Sequence, residues 1–410
     1  MIDGRRKCGY NGLTNIHRRN GVCTMQSIFD RAVDRRGSGS VKWDRADKNF
    51  GGTDLLPMWI ADMDFPSPPG VLAALRQRVE QGIFGYSVLT GAYYEAVIGW
   101  MARRHQCEVK REWIVFAPGV VSALNFAVQA VTEPGDEVMI STPVYAPFYR
   151  AVEEWGRVVN RCPLKRSDGR YTFDFEEMER RITPRTRALM LCSPHNPVGR
   201  VWTREELEAL GRFCLRHDLM VIADEIHSDL VFQPHTVFWN ALPEMAQRTI
   251  LCTAPSKTFN LAGIQASNII IPNEELRRRY RSVAERHHAL SPNAFAEAAV
   301  VGAYRDSEAW LDELLVYLKG NVDYFCAEVA RSLPKLRVLP PEGTYLAWVD
   351  CSGLGLSPEE RQRFLVEKCK VAFNDGSSFG PEGADFVRVN LACPRSTVEE
   401  CLQRLRTGGC

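Results

Sequence analysis

The stretch Thr253-Ala254-Pro255-Ser256-Lys257-Thr258-Phe259-Asn260-Leu261-Ala262-Gly263 follows a short apolar run, Thr249-Ile250-Leu251-Cys252. A run of that length reads as a buried strand. Lys257 then falls just past a strand end, on a turn behind Pro255, with no charged neighbour in the stretch. Ligand and catalytic groups of open α/β sheets gather at such ends. Taken alone, Lys257 reads as a surface lysine on a loop. Its surroundings in the chain decide otherwise.

From about residue 111, short apolar runs alternate with longer amphipathic ones. The runs predict strands at 113–116, 137–140, 188–192, 219–223, 249–253 and 268–271, and helices at 121–131, 147–155, 204–217 and 274–287. That alternation implies a mostly parallel sheet covered by helices on both faces. Earlier, the prolines of Pro66-Ser67-Pro68-Pro69 mark a boundary, since proline stops regular structure and favours a helix start. Helices are expected at 71–81, capped by Gly82, and at 91–105. After 307 the order changes to a long helix at 308–333, strands at 337–339 and 345–349, a helix at 358–368, a strand at 386–391 and a helix at 397–405. The fold class is therefore α/β, with a large domain (69–306), a smaller α+β domain (307–410) and an arm (25–68) that contributes to the small domain.

Composition narrows the function. The 410 residues are 45% hydrophobic and 25% charged with a net charge of +1. Those values describe an ordinary globular chain with no electrostatic case for nucleic acid or an acidic membrane. No apolar run reaches membrane-spanning length. Thirteen cysteines, an odd number and scattered, argue for reduced thiols in the cytoplasm over a disulfide frame or zinc site. Residues 1–24 carry Arg5, Arg6, Lys7, Arg18 and Arg19 among Gly and Asn. They read as a disordered tail, or as an upstream start with Met25 the natural beginning; the second is preferred. Without an apolar block they are no signal peptide.

Four strand ends carry chemistry. Ala117-Pro118-Gly119-Val120-Val121 opens a helix after the first strand. Ser193-Pro194-His195-Asn196-Pro197-Val198-Gly199 follows the third, Asp224-Glu225-Ile226-His227 the fourth, and Lys257 the fifth. Parallel packing would bring them to one rim. Each has a use for a phosphorylated pyridine aldehyde. Free N–H groups at Gly119, Val120 and Val121 suit phosphate. A buried Asp224 can keep a pyridine nitrogen protonated. Asn196 can donate to a ring oxygen, and a lysine in a dry pocket has a lowered pKa and forms a Schiff base. Tyr145 also follows a strand, and its ring can stack on such a ligand. Each element has an ordinary structural alternative: an Asn-Pro turn, a helix-capping aspartate, a core tyrosine. Their shared order at successive strand ends is what those alternatives do not explain. His227 beside Asp224 and Glu225 suggests a metal, but no second histidine stands at ligand spacing.

These residues resemble the fold-type I pyridoxal-phosphate (PLP) enzymes of the class I/II aminotransferase group. Within that group the chain is similar to carbon–sulfur lyases, the cystathionine β-lyases and cystalysin-type cysteine desulfhydrases. Lys42-Trp43-Asp44, Trp59-Ile60-Ala61-Asp62-Met63-Asp64-Phe65, Gly85-Tyr86-Ser87, Asp224-Glu225-Ile226-His227, Ala254-Pro255-Ser256-Lys257-Thr258-Phe259-Asn260 and Gly343-Thr344-Tyr345-Leu346-Ala347-Trp348 carry the likeness, together with the Ser193–Trp202 stretch. The resemblance implies Lys257 as Schiff-base lysine, Asp224 as partner of the pyridine nitrogen, Asn196 as phenolate donor and Tyr145 as stacking ring. It implies Gly119, Val120, Val121 and Ser256 as phosphate cup. Tyr86 resembles the tyrosine that reaches the phosphate from the other subunit, implying a homodimer with shared sites. Arg388 resembles the arginine that grips the substrate α-carboxylate.

Three departures stand out. His227 replaces the tyrosine common in aminotransferases, as in the lyases, and is a further candidate for the phenolate oxygen. Gln265 stands where a phosphate-binding arginine often lies, and Ala146 where cystalysin-like proteins tend to carry a second tyrosine. The implied reaction is α,β-elimination from cystathionine or a cysteine-type S-conjugate, giving thiol, pyruvate and ammonia. Lys257 is the base, and Tyr145 or Lys257 protonates the leaving sulfur. The alternatives are an aminotransferase using the same residues, and a regulatory protein of this fold acting through protein contacts.

Overall fold

The computed structural model describes residues 27–167 and 169–410. The reading of residues 1–24 lies outside the described residues.

Seven strands form the main sheet: β1 (Ile114–Ala117), β2 (Glu137–Thr142), β3 (Val158–Pro163), β4 (Thr186–Cys192), β5 (Met220–Asp224), β6 (Thr249–Thr253) and β7 (Ser267–Ile270), in the order β1-β7-β6-β5-β4-β2-β3. β2 to β6 pair in parallel, while β7 is antiparallel to both of its neighbours, β1 and β6. β1 therefore points the same way as β6, and its C-terminal end opens on the same rim. The predicted mostly parallel sheet is present, with one reversed strand.

Its central strands are continuous apolar runs because both faces are covered. Along β5 and β6 successive side chains divide between two cores. Ile222, Ile250 and Cys252 pack with Ala123, Leu124 and Ala127 of the Val120–Val131 helix. Val221, Ala223 and Leu251 face Leu207, Leu210 and Phe213 of the Arg204–Arg216 helix. The two-residue period of a strand thus feeds two layers of helix. That helix starts with a capping box in which Thr203 and Glu206 each take the other's backbone N–H.

Two elements differ from expectation for the same physical reason. β3 was not foreseen because it is an edge strand, with Cys162 its one buried residue and polar side chains facing solvent. The hairpin Lys165–Ser167/Arg170–Thr172 is likewise mostly exposed. The Ala296–Asp306 helix was also missed; it is Ala-rich and packs against Pro69–Glu80 and Gly91–His105.

A second, antiparallel sheet has the order β8-β9-β11-β10, from β8 (Arg337–Leu339), β9 (Leu346–Asp350), β10 (Asn374–Asp375) and β11 (Phe386–Asn390). Val349 and Val389 face Val322, Phe325 and Val329 of the long Glu308–Ser332 helix and Leu402 of the last helix. The early segment joins this part, since Leu56–Pro57 pairs in parallel with Val371–Ala372.

Candidate active site

The C-terminal ends of β1, β4, β5 and β6 meet around a cavity of about 340 Å³. Its wall includes Val120, Tyr145, Asn196, Asp224, His227 and Lys257. The four elements expected on one rim are there.

Asp224 is the last residue of β5, 4% exposed, between strands β4 and β6. One carboxylate oxygen accepts the Ile226 N–H at 3.1 Å. Burial raises its pKa to about 7, against the lowering effect of that N–H and of Lys257. A buried carboxylate with a single neutral donor is poorly compensated. A ligand carrying a positive N–H would complete it.

Lys257 is not on a turn, as expected, but on a four-residue helix, Pro255–Thr258, with proline in its first turn. Its Nζ donates to Ala61 O at 2.7 Å. Burial lowers the amine to about 8, the Arg388 guanidinium adds to that, and Asp62 and Asp224 oppose it. The amine is therefore partly neutral near neutral pH, the state needed for attack on an aldehyde.

Asn196 lies in a loop held at several points. His195 N–H donates to Arg200 O, Gly199 N–H to His195 O, and Trp202 Nε1 to Cys192 O. Gly199 has φ +72°, and a Cβ there would lie 2.5 Å from Pro341 Cβ, so the stretch needs glycine at this point. Asn196 Oδ1 accepts from Arg388 at 3.0 Å. Guanidinium has no acceptor, so the amide orientation is fixed and Nδ2 is left to donate into the cavity.

Arg388 sits one hydrogen bond behind that wall, in the middle of β11 and 4% exposed. Besides Asn196 it donates to Trp59 O at 3.0 Å and to Asn374 Oδ1, while its buried Nε has no partner among the described residues. Burial lowers its pKa to about 10. Asn374 was not singled out from the sequence, since nothing in its local pattern marks it.

Tyr145 lines the cavity half-buried, its own N–H donating to Asn196 O at 3.1 Å. Burial raises its hydroxyl pKa. His227 is buried, and its Nδ1 has no partner among the described residues. Burial, then Lys257 and Arg388, push its pKa well below the ordinary range, so it is a neutral imidazole. Ser256 and Gln265 also line the wall.

The helix start needs one correction. Gly119 does not offer a free N–H: at φ +100° it donates to Ala117 O at 2.9 Å. The open donors are those of Val120, Val121 and Ser122, the first three residues of the helix, which have no intrahelical acceptor. Ser122 was missed, although its place in the first turn was legible. Tyr86 lies apart from this group. It is fully exposed on the 82–90 segment beside exposed Ile83, Phe84 and Val88.

An amine of lowered pKa, a buried carboxylate, an amide donor, an aromatic ring and a helix start in one cavity suit a phosphorylated pyridine aldehyde. The fold and pocket define the class of two-part α/β proteins built around such a lysine. The chain matches the aminotransferase class I and II family over residues 54–405, and it belongs to that family. It is 44% identical over 381 residues to cystathionine beta-lyase PatB of Bacillus subtilis, covering 92% of this chain and 98% of that one. Cystalysin from Treponema denticola, whose crystal structure contains pyridoxal 5'-phosphate, superposes with a TM-score of 0.90 at 36% identity, over 93% of this chain and 98% of that one. The PLP-bound C–S lyase of Staphylococcus hominis gives 0.85 at 32%, over 93% and 98%.

Proposed function

We infer that the protein is a PLP-dependent carbon–sulfur β-lyase acting on cystathionine or cysteine-type S-conjugates. The observation that carries this is Lys257, a lowered-pKa amine on Ala61 O within one cavity with Asp224 and Asn196. The chain holding it is similar along nearly its full length to proteins named as a cystathionine beta-lyase, a cystalysin and a C–S lyase.

PLP, when bound, supplies an electron sink for the carbanion formed at the substrate Cα. Lys257 is the residue that would link to it. Asp224 would hold its pyridine nitrogen, and Asn196 Nδ2, with neutral His227 nearby, its phenolate oxygen. The Tyr145 ring would stack on it, and Val120, Val121, Ser122 and Ser256 would take the phosphate.

Arg388 fixes the substrate α-carboxylate, its plane already set by Asn196, Trp59 and Asn374. Lys257 Nζ, neutral and held by Ala61 O, takes the α-proton. The Cβ–S bond breaks, and the sulfur leaves with a proton from Lys257 or Tyr145. Water completes the balance, so that S-conjugate and water give thiol, pyruvate and ammonia.

The division into an arm (25–68), a large cofactor-binding part (69–306) and a small part (307–410) belongs to the same reading: Arg388 of the small part meets Asn196 of the large. The exposed 82–90 segment fits a homodimer in which Tyr86 reaches the partner's phosphate. Tyr86→Phe then weakens PLP retention without dissociating the dimer in sedimentation. A cytoplasmic location accords with free cysteines throughout the described residues. Among those residues no helix is long and apolar enough to cross a membrane.

The test is to incubate the purified holoenzyme with L-cystathionine or L-cysteine and measure pyruvate, ammonia and thiol. Keto-acid-dependent amino transfer without thiol release refutes the lyase reading in favour of an aminotransferase.

A further inference from the structure

The helix that carries Lys257 is one turn long, and so short a helix holds little direction of its own. Its restraint comes from outside. On one side Asn260, at φ +57°, exchanges hydrogen bonds with Met63 and donates to Phe65 O. On the other, Thr258 follows Lys257 directly and is fully buried, and its Oγ1 donates to Asp229 Oδ2 at 2.8 Å.

Asp229 lies five residues beyond Asp224 and is buried with three partners. Its Oδ1 accepts from Trp100 Nε1 at 3.1 Å and pairs with His105 Nε2 at 2.8 Å. Both partners come from the last turns of the Gly91–His105 helix. The Trp100 ring is itself fixed, stacked on Tyr304 at 4.9 Å and meeting Phe259 edge-on at 5.6 Å. The indole can only donate, and the Thr258 hydroxyl is a donor here. A site ringed by donors takes an acceptor-only side chain, which is a carboxylate. Burial works against its charge, but His105, Thr258 and Trp100 hold the pKa below the ordinary range. One carboxylate thus ties together the loop leaving Asp224, the helix of Lys257 and the Gly91–His105 helix.

We propose that Asp229 is a positioning residue for Lys257. Through Thr258 it fixes the one-turn helix so that Nζ, when not linked to the cofactor, stays on Ala61 O and within reach of the reacting carbon. The proposal rests on Lys257 being the cofactor lysine and base. Asp229 itself touches no reacting atom.

The experiment compares wild type, Thr258→Val and Thr258→Ser. Three quantities are read: the rate at which apoenzyme recaptures added PLP, followed by the yellow absorbance; kcat and KM; and the thermal midpoint. Valine keeps the shape of threonine and removes the hydroxyl, whereas serine keeps the hydroxyl. A displacement of about 1 Å at a reacting group costs on the order of 100-fold. Thr258→Val is therefore expected to slow both PLP recapture and kcat by about 10- to 100-fold with KM little changed. Thr258→Ser restores both rates. A Thr258→Val protein with a lower thermal midpoint but wild-type recapture and kcat overturns the proposal. Trp100→Phe, which removes one donor from Asp229, supplies the same comparison if the valine variant does not fold: slower recapture and kcat support the proposal, and unchanged rates overturn it. Lys257→Ala separates the two levels. If it keeps the yellow band, the lysine assignment fails and the proposal with it. If it loses the band while Thr258→Val behaves as wild type, only the positioning role fails.

Discussion

Asp224→Asn should make the cofactor-free protein more stable at pH 8 while abolishing catalysis. Burial raises the Asp224 pKa from 3.8 to about 7. Each tenfold change in an ionisation constant is worth about 1.4 kcal/mol, so keeping this carboxylate charged costs on the order of 4 kcal/mol. The sign follows from proton linkage. Between those two values the folded chain holds a proton that the unfolded chain has lost. The stability from the neutral acid is thus fully present below about pH 4 and is lost as pH rises through about 7. Asparagine keeps the acceptor for the Ile226 N–H and never ionises. Urea unfolding of both apoproteins, at one fixed protein concentration because assembly shifts apparent stability, gives the comparison. At pH 8 the variant is expected to be about 2–4 kcal/mol more stable than wild type, the difference shrinking toward zero near pH 4. PLP should reverse the ranking, because only the carboxylate can pair with a protonated pyridine nitrogen. Equal stability at pH 8, or a difference that does not change with pH, refutes the claim that this carboxylate is held ready for a cationic ligand.

Other outcomes follow from the same geometry. With Lys257 as the base and its amine lowered to about 8, kcat for elimination should rise with pH and level off above about pH 8, since only the neutral amine takes a proton. A stopped-flow or steady-state pH profile checks this, and a rate that falls across that range contradicts it. Arg388→Lys replaces a planar group that meets Asn196, Trp59 and Asn374 at once with a single point charge. Loss of a charge-assisted bond costs about 1.5–3 kcal/mol, so kcat/KM should fall on the order of 10- to 100-fold, mostly through KM. Lys42 is 1% exposed and pairs with Asp64 at 2.7 Å. Lys42→Met leaves a buried carboxylate short of a partner and should lower unfolding stability by about 3 kcal/mol, with the remaining Arg35 and Trp43 contacts setting how far below that the measured value falls.

How far the sequence disclosed this architecture depended on where each residue's partners lie. β4, β5 and β6 were legible because a strand covered on both faces is written as an unbroken apolar run, and Thr249–Thr253 was bounded to the residue. β3 was not, because an edge strand facing water has no such signature. The same distinction governs the site. Asp224, Asn196 and Lys257 could be grouped because parallel topology alone puts successive strand ends on one rim. The Lys257 contact with Ala61 O joins residues 196 positions apart, and the tie from Arg388 to Asn196 spans 192. No local pattern encodes either. Ala61 shows the limit most sharply: its carbonyl accepts from both Lys257 and Tyr345, yet a backbone oxygen has no residue type to read. The Trp59–Phe65 stretch drew notice as a motif, and its physical reason is that the carbonyls of Trp59, Ile60, Ala61, Asp62, Met63 and Phe65 receive side-chain donors from Arg388, Asn390, Lys257, Tyr345, Arg35 and Asn260. A segment so held presents the Ala61 carbonyl at a fixed place, where it holds the lysine amine when that amine is not linked to a cofactor. Chemistry at Lys257 thus depends on an element that contributes only its backbone to that contact.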